Sequence, residues 1–156
     1  MYTLSPETDE DWWEVEALYD LAFAPGREAL SSYRLRDNIP SLNELARVAR
    51  DSEGILAGAI RYWPVRVGEA SALLLGPIAV HPTRQGEGLG GALIRDSLAS
   101  AFETWERVLL VGDEPYYGRF GFSRIDGVEM PPPTNPDRVL GYGDWGGVSG
   151  VVRPAK

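Results

Sequence analysis

Residues Arg84-Gln85-Gly86-Glu87-Gly88-Leu89-Gly90-Gly91 place four glycines in six positions just ahead of an apolar helical pattern. Without side chains to shield them, backbone N–H groups there point outward, and the first N–H groups of a helix have no partner within it. With about half a positive charge from the helix dipole, they form an anion site suited to a pyrophosphate. The spacing narrows the ligand. A dinucleotide fingerprint, GxGxxG with an acidic residue about twenty positions later, fits glycines at 86, 88, 90 and 91 poorly. No lysine follows them as a GxxxxGK[ST] loop requires, which argues against nucleoside triphosphate hydrolysis. A glycine-rich loop also arises for structural reasons alone, so a second motif has to decide.

The frame Gln85-x-x-Gly88-x-Gly90, preceded by Ile78-Ala79-Val80-His81-Pro82, resembles the coenzyme A loop of the GNAT superfamily of N-acetyltransferases. Tyr116-Tyr117-Gly118-Arg119-Phe120-Gly121-Phe122 is similar to that family's tyrosine-to-Gly-Phe segment, and with Gly112-Asp113-Glu114-Pro115 before it the run looks most like the YhbS-like branch. The resemblance spans about Leu73 to Phe122. It implies an α/β fold with a mixed, central splayed sheet flanked by helices, and acetyl-CoA as co-substrate. It also implies that the backbone of Ile78, Ala79 and Val80 runs along the pantetheine arm while Gln85, Gly86, Glu87, Gly88, Leu89, Gly90 and Gly91 hold the diphosphate.

Tyr117, four residues before Gly121, matches the family's general acid. A phenol with an ordinary pKa near 10 keeps its proton at neutral pH and can give it to a departing thiolate. Tyr116 is its substitute if the register differs by one, and packing under a short helix is the plain structural alternative. The family often places a carboxylate on the splayed strand, but Leu73 to Val80 contains none. Asp113 and Glu114 are the candidate bases, while His81, in a His-Pro turn, reads as structural. The implied activity is acetyl transfer to a small-molecule or peptide amine. A non-catalytic acyl-CoA sensor of the same fold is the alternative.

The elements that must position these residues follow from periodicity. Thr8 with Asp11 signals a helix start, and Trp12, Val15, Leu18, Tyr19, Ala22 and Phe23 recur at helical spacing up to Pro25-Gly26. A weaker helical stretch covers about Arg27 to Asp37. Leu45–Arg50 and Ile55–Val67 read as strands around a turn at Asp51–Gly54, with Pro64 marking a bulge or an edge position. Leu73–Val80 is apolar on both faces, as a central strand is, and Gly76-Pro77 should make it bulge or splay. A helix over Gly88–Phe102, a strand over Arg107–Val111 and a short helix around Tyr116–Phe120 follow. A strand from Phe122, a proline loop and strands near Val139 and Val148–Val152 complete the pattern.

Composition excludes other chemistry. The 156 residues, 44% hydrophobic, suit one domain, 1–156, with its own core. Absent cysteine removes disulfides, thiolate nucleophiles and Cys-bearing zinc sites, and one histidine removes HExxH; no metal is implied. A net charge of −8 opposes nucleic acid and suits cationic amines. No apolar run reaches the roughly 18 residues of a membrane span, and no signal segment is evident, so a cytoplasmic protein is expected. Trp12, Trp13, Trp63 and Trp145 are candidate acceptor-cleft residues or core, and a homodimer through the C-terminal strands remains open.

Overall fold

A computed structural model describes residues 2–22, 35–36, 39–132 and 134–155. Nine strands and three helices follow in the order β1 (Thr3–Pro6), α1 (Trp12–Ala22), β2 (Arg47–Arg50), β3 (Leu56–Val67), β4 (Ala70–Val80), α2 (Leu89–Ala101), β5 (Arg107–Val111), α3 (Glu114–Tyr117), β6 (Ser123–Arg124), β7 (Val128–Glu129), β8 (Val139–Gly143) and β9 (Gly150–Pro154). The sheet runs β1-β2-β3-β4-β5-β8-β6, with β9 against the far end of β3 and β7 against β9. Along the main path only β4 and β5 run parallel, as expected of two strands joined by the crossover helix α2.

Two irregularities in β4 shape the molecule. Between Ile60 and Tyr62, β3 advances two residues while β4 advances three, from Leu75 to Ile78, so the extra residue lies at Gly76-Pro77. β4 also pairs with β5 only at Leu73–Val108 and Leu74–Leu109, after which the two part. The expected splayed α/β sheet is therefore what forms. Pro64 does not itself bulge. It falls where β3 has stopped pairing with β2, at Ile60, and not yet begun pairing with β9, at Val65, so its missing N–H costs no ladder bond on that side.

Strand pleating sends side chains to both faces. Ala79, Ala59 and Val48 pack under Val15, Leu18 and Tyr19 of α1. On the other face Leu73, Leu75 and Ile60 pack against Leu89, Leu93, Ile94 and Leu98 of α2, with Ile78 and Val80 beside them. Arg47 of β2 pins α2 through Asp96 at 2.9 Å and Ser100 at 2.7 Å.

Some expectations shift. Thr8 does not cap α1: its N–H and hydroxyl both donate to the Asp11 carboxylate, closing a turn before the helix, which starts at Trp12. Trp12 is 58% exposed rather than on the buried stripe, and Trp13 beside it is 66% exposed. The third helix begins two residues earlier than predicted because Pro115 sits in its first turn, and Gly118–Phe120 continues as a 3-10 turn. Phe23, Pro25-Gly26 and the helix expected over Arg27–Asp37 lie outside the described residues, apart from Leu35 and Arg36.

Candidate functional site

The loop after β4 is held in place before it can offer anything to a ligand. His81 Nδ1 accepts from the Thr83 N–H at 3.2 Å, capping a 3-10 turn over Pro82–Arg84. That is the structural role expected for this histidine. Gly86 and Gly88 then take φ of 87° and 76°, in the left-handed region, with open space where a Cβ would stand. Glycine is needed there for conformation. Gly91 sits close to its neighbours, a Cβ there falling 3.1 Å from Arg95 Nη1 and 3.4 Å from the Phe120 ring, whereas one at Gly90 would make only ordinary contact, 3.4 Å from the Tyr116 hydroxyl. The first helical bond runs from the Ala92 N–H to the Gly88 carbonyl at 3.1 Å. Among the described residues, none accepts a hydrogen bond from the backbone N–H groups of 85–91.

The parted strands supply a second row of backbone groups. The His81 N–H donates to the Ala57 carbonyl at 2.8 Å. Antiparallel alternation then turns Ala79 toward β3 as well, and turns the N–H and C=O of Ile78 and Val80 toward the gap that β5 leaves. The Val80 carbonyl there receives Gln85 Nε2 at 3.5 Å. Side-chain packing and an exposed backbone coexist at Ile78 and Val80 because one is perpendicular to the sheet and the other lies in its plane.

Loop and gap meet in one cleft of about 640 Å³. It is lined by Ile78, Ala79 and Val80, by Gln85, Gly86, Gly88, Leu89, Gly90 and Gly91, and by Tyr117 from α3. Of the residues predicted to bind the cofactor, Glu87 alone does not line it, its carboxylate accepting from the Tyr2 hydroxyl at 2.7 Å. Arg84 donates to the same hydroxyl at 3.2 Å, so residue 2 anchors the loop. Arg84, Arg95, Tyr116, Arg119 and Phe120 also line the cleft. Sequence reasoning did not assign the arginines, although Arg95 stands one helical turn beyond Gly91 and Arg119 lies inside the second motif.

Gly112 lets the Tyr117 ring lie against the end of β5, since a Cβ there would come within 2.4 Å of it. Tyr116 packs edge-on at 4.9 Å. Burial first, then the neighbouring Tyr116 and Asp113, push the Tyr117 phenol above its ordinary pKa, and Arg138 opposes them. The group therefore holds its proton at neutral pH. Asp113 is bonded to Arg138, and Glu114 Oε2 accepts the Arg124 N–H at 3.0 Å. Neither carboxylate lines the cleft. None of the four tryptophans lines the cleft: Trp63 is buried in a core cluster against which Trp145 packs, and Trp12 and Trp13 stand exposed on α1. Among the described residues no group of three or more His, Asp or Glu could hold a metal ion.

The family model for the acetyltransferase (GNAT) domain matches residues 43–124, which contain the loop, the parted strands and Tyr117. Two crystal structures are similar in fold and sequence. One is the GNAT family N-acetyltransferase YhbS of Escherichia coli in complex with CoA, with a TM-score of 0.83, 27% identity and coverage of 98% of this chain and 89% of that one. The other is a GNAT family acetyltransferase of Brucella melitensis in complex with acetyl-CoA, with a TM-score of 0.67, 31% identity and coverage of 91% and 96%. No curated protein matches the sequence. With its donor-lined loop and parted strands inside a match that spans more than half its length, this chain belongs to the GNAT acetyltransferase family.

Proposed function

We propose that the protein transfers an acetyl group from acetyl-CoA to a primary amine by direct attack, with Tyr117 as general acid. One observation carries the reading: the unpaired amides of 85–91 and the backbone edge of Ile78 and Val80 share a cleft with Tyr117. The residues fit the co-substrate. Outward N–H groups at the start of α2 suit a diphosphate, and the free edge of β4 suits the amides of a pantetheine arm, which would lie there as a short extra strand. The relatives crystallised with CoA and acetyl-CoA support the same choice.

Acetyl-CoA would supply the activated acyl group as a thioester. Gln85, Gly86, Glu87, Gly88, Leu89, Gly90 and Gly91 would fix its diphosphate through backbone N–H groups, and Ile78, Ala79 and Val80 would orient the arm. Tyr117 would hold a proton for the departing sulfur. The acceptor would enter as a small-molecule or peptide amine, and the net charge of −8 favours its cationic form at a distance. No described helix is long and apolar enough to cross a membrane, and we place the enzyme in the cytoplasm. The test is an acceptor screen with acetyl-CoA, reading thiol release and product mass; turnover lost in Tyr117→Phe would support the assignment.

One observation favours a second reading. No acidic side chain lines the cleft, so nothing described there is placed to take the amine's proton. A sensor that binds acyl-CoA without turning it over would need none. Tight CoA binding with no thiol release across the amine panel would select it.

A further inference from the structure

The glycine loop carries one residue at odds with its chemistry. Glu87 stands between Gly86 and Gly88, in the segment whose outward N–H groups make an anion site, and its own carboxylate is an anion. Like charges a few ångströms apart repel, so a Glu87 side chain turned into the cleft would oppose the diphosphate that the amides attract. The flanking glycines, at φ of 87° and 76° with open space where a Cβ would stand, do little to steer it. Among the described residues no cation pairs with this carboxylate, and the hydrogen bond that holds it comes from the Tyr2 hydroxyl at 2.7 Å.

That bond has a fixed direction. A guanidinium has no lone pair to offer, so Arg84 Nη1 donates to the Tyr2 oxygen, at 3.2 Å, and the single proton of the phenol goes to Glu87 Oε1. Arg84 is itself held by Asp51 Oδ2, and the other Asp51 oxygen accepts the N–H groups of Glu53 and Ile55 in the turn between β2 and β3. The Tyr2 ring packs on the core that α2 covers. A relay therefore runs from that turn through Arg84 and Tyr2 to Glu87, and it ends with the carboxylate outside a cleft that Arg84 lines. Asp51 matches the charge of Arg84, which leaves the negative charge of Glu87 positioned rather than cancelled.

Resting on the acetyl-CoA reading above, we propose that Tyr2 is a positioning residue for the co-substrate: its hydroxyl draws the Glu87 carboxylate out of the cleft and so keeps a negative charge off the diphosphate. Tyr2 touches no reacting atom and acts through Glu87. By linkage, an anion in the loop favours the bonded arrangement as much as that arrangement favours the anion, so residue 2 and the cleft are coupled although they belong to opposite ends of the sheet's sequence.

The experiment is calorimetry with CoA, at low and at high salt, on the wild-type protein, Tyr2→Phe, Glu87→Gln and the double variant. Tyr2→Phe keeps the packed ring and removes only the hydroxyl, so it should fold, which circular dichroism checks. It is expected to weaken CoA by about three- to tenfold at low salt, as a freed like charge near the ligand does. The deficit should shrink at high salt, where screening shortens the reach of a charge. In the Glu87→Gln background the same Tyr2→Phe change should cost little affinity, because the amide is uncharged and the loop's N–H groups are untouched. Equal affinity of wild type and Tyr2→Phe at both salt concentrations overturns the proposal and leaves the cofactor reading standing. A deficit that salt does not reduce, or that persists in full beside Glu87→Gln, also overturns it, because Tyr2 would then act by bracing Arg84. Absence of CoA binding by the wild type removes the cofactor reading and the proposal with it.

Discussion

The indole Nε1 of Trp63 donates to the Gly76 carbonyl at 2.7 Å, so a buried side chain of β3 ties down the bulge of the neighbouring strand. One residue on, the Tyr19 hydroxyl of α1 donates to the Pro77 carbonyl at 2.9 Å. Two consecutive carbonyls that no ladder satisfies are thus held by two aromatic donors, and the residues that follow, Ile78 to Val80, reach the cleft in a fixed register.

Trp63→Phe keeps an aromatic ring and removes only the donor. Leaving the Gly76 carbonyl unpaired should cost about 1 to 3 kcal/mol of stability. If the bond also positions β4, KM for acetyl-CoA should rise several-fold with kcat nearly unchanged. Loss of thermal stability with an unaltered KM would reduce Trp63 to a packing residue. Denaturant melts and steady-state kinetics on the one variant separate the two.

Gly88 tests the loop by conformation rather than bulk. Its φ of 76° sits where L residues pay about 1 to 2 kcal/mol, and more when β-branched, although a Cβ there would touch nothing. Gly88→Val should keep the fold and lose CoA binding as the N–H groups turn away. Gly147→Val is the control, with φ of 77° and the same open surroundings, in the turn between β8 and β9. Equal CoA affinity in the two variants would show that the loop's backbone geometry is irrelevant to the ligand.

Tyr117→Phe should lower kcat by about 10² to 10⁴ and leave KM for acetyl-CoA within a few-fold, as removal of an acid used only in the transition state does. The pH dependence has a definite sign. Burial raises the folded-state pKa, so the acid stays fully protonated below the ordinary value of about 10 and its contribution is lost only as pH rises beyond that. Turnover should show no descending limb from this group between pH 7 and about 10. A limb near pH 8 that disappears in the phenylalanine variant would mean that the phenol titrates lower than its surroundings indicate.

The legible parts of the sequence were those whose chemistry is local. Gln85–Gly91 and Tyr116–Phe122 carry their function in short-range spacing, and β4 announces itself as an apolar run broken by Gly76-Pro77. What escaped was pairing across the chain. β1 is largely exposed and shows no apolar alternation, and Tyr2 reaches Glu87 across 85 positions. Nothing local links Trp63 to Gly76; such facts exist only once the strands are in register. Trp12 fitted the helical stripe and still faces solvent, while Val15, Leu18 and Tyr19 of the same stripe pack on the sheet.

Arg61 stands opposite the bulge and turns into the core, where it is 2% exposed. Its Nε and Nη2 donate to both oxygens of Glu7, at 3.0 and 2.8 Å, and Nη1 donates to Glu16 of α1. The guanidinium also lies 5.3 Å from the ring of Tyr19, the residue that holds Pro77. Glu7 is 4% exposed, so Arg61→Met strands a buried carboxylate and should cost about 3 to 5 kcal/mol. Glu16 is the lesser concern, because a quarter of its side chain reaches water. A protonated carboxyl is cheaper to bury than a charged one, so the variant's deficit against wild type should shrink as pH falls from 7 toward 5. Pairing Arg61→Met with Glu7→Leu removes both charges and should recover most of the loss. Chemical denaturation of the three proteins at the two pH values measures all of this. A deficit that neither acid nor the second substitution relieves would show that Arg61 acts through its packed stem and its hold on Glu16 and Tyr19, and that burying Glu7 alone costs the protein little.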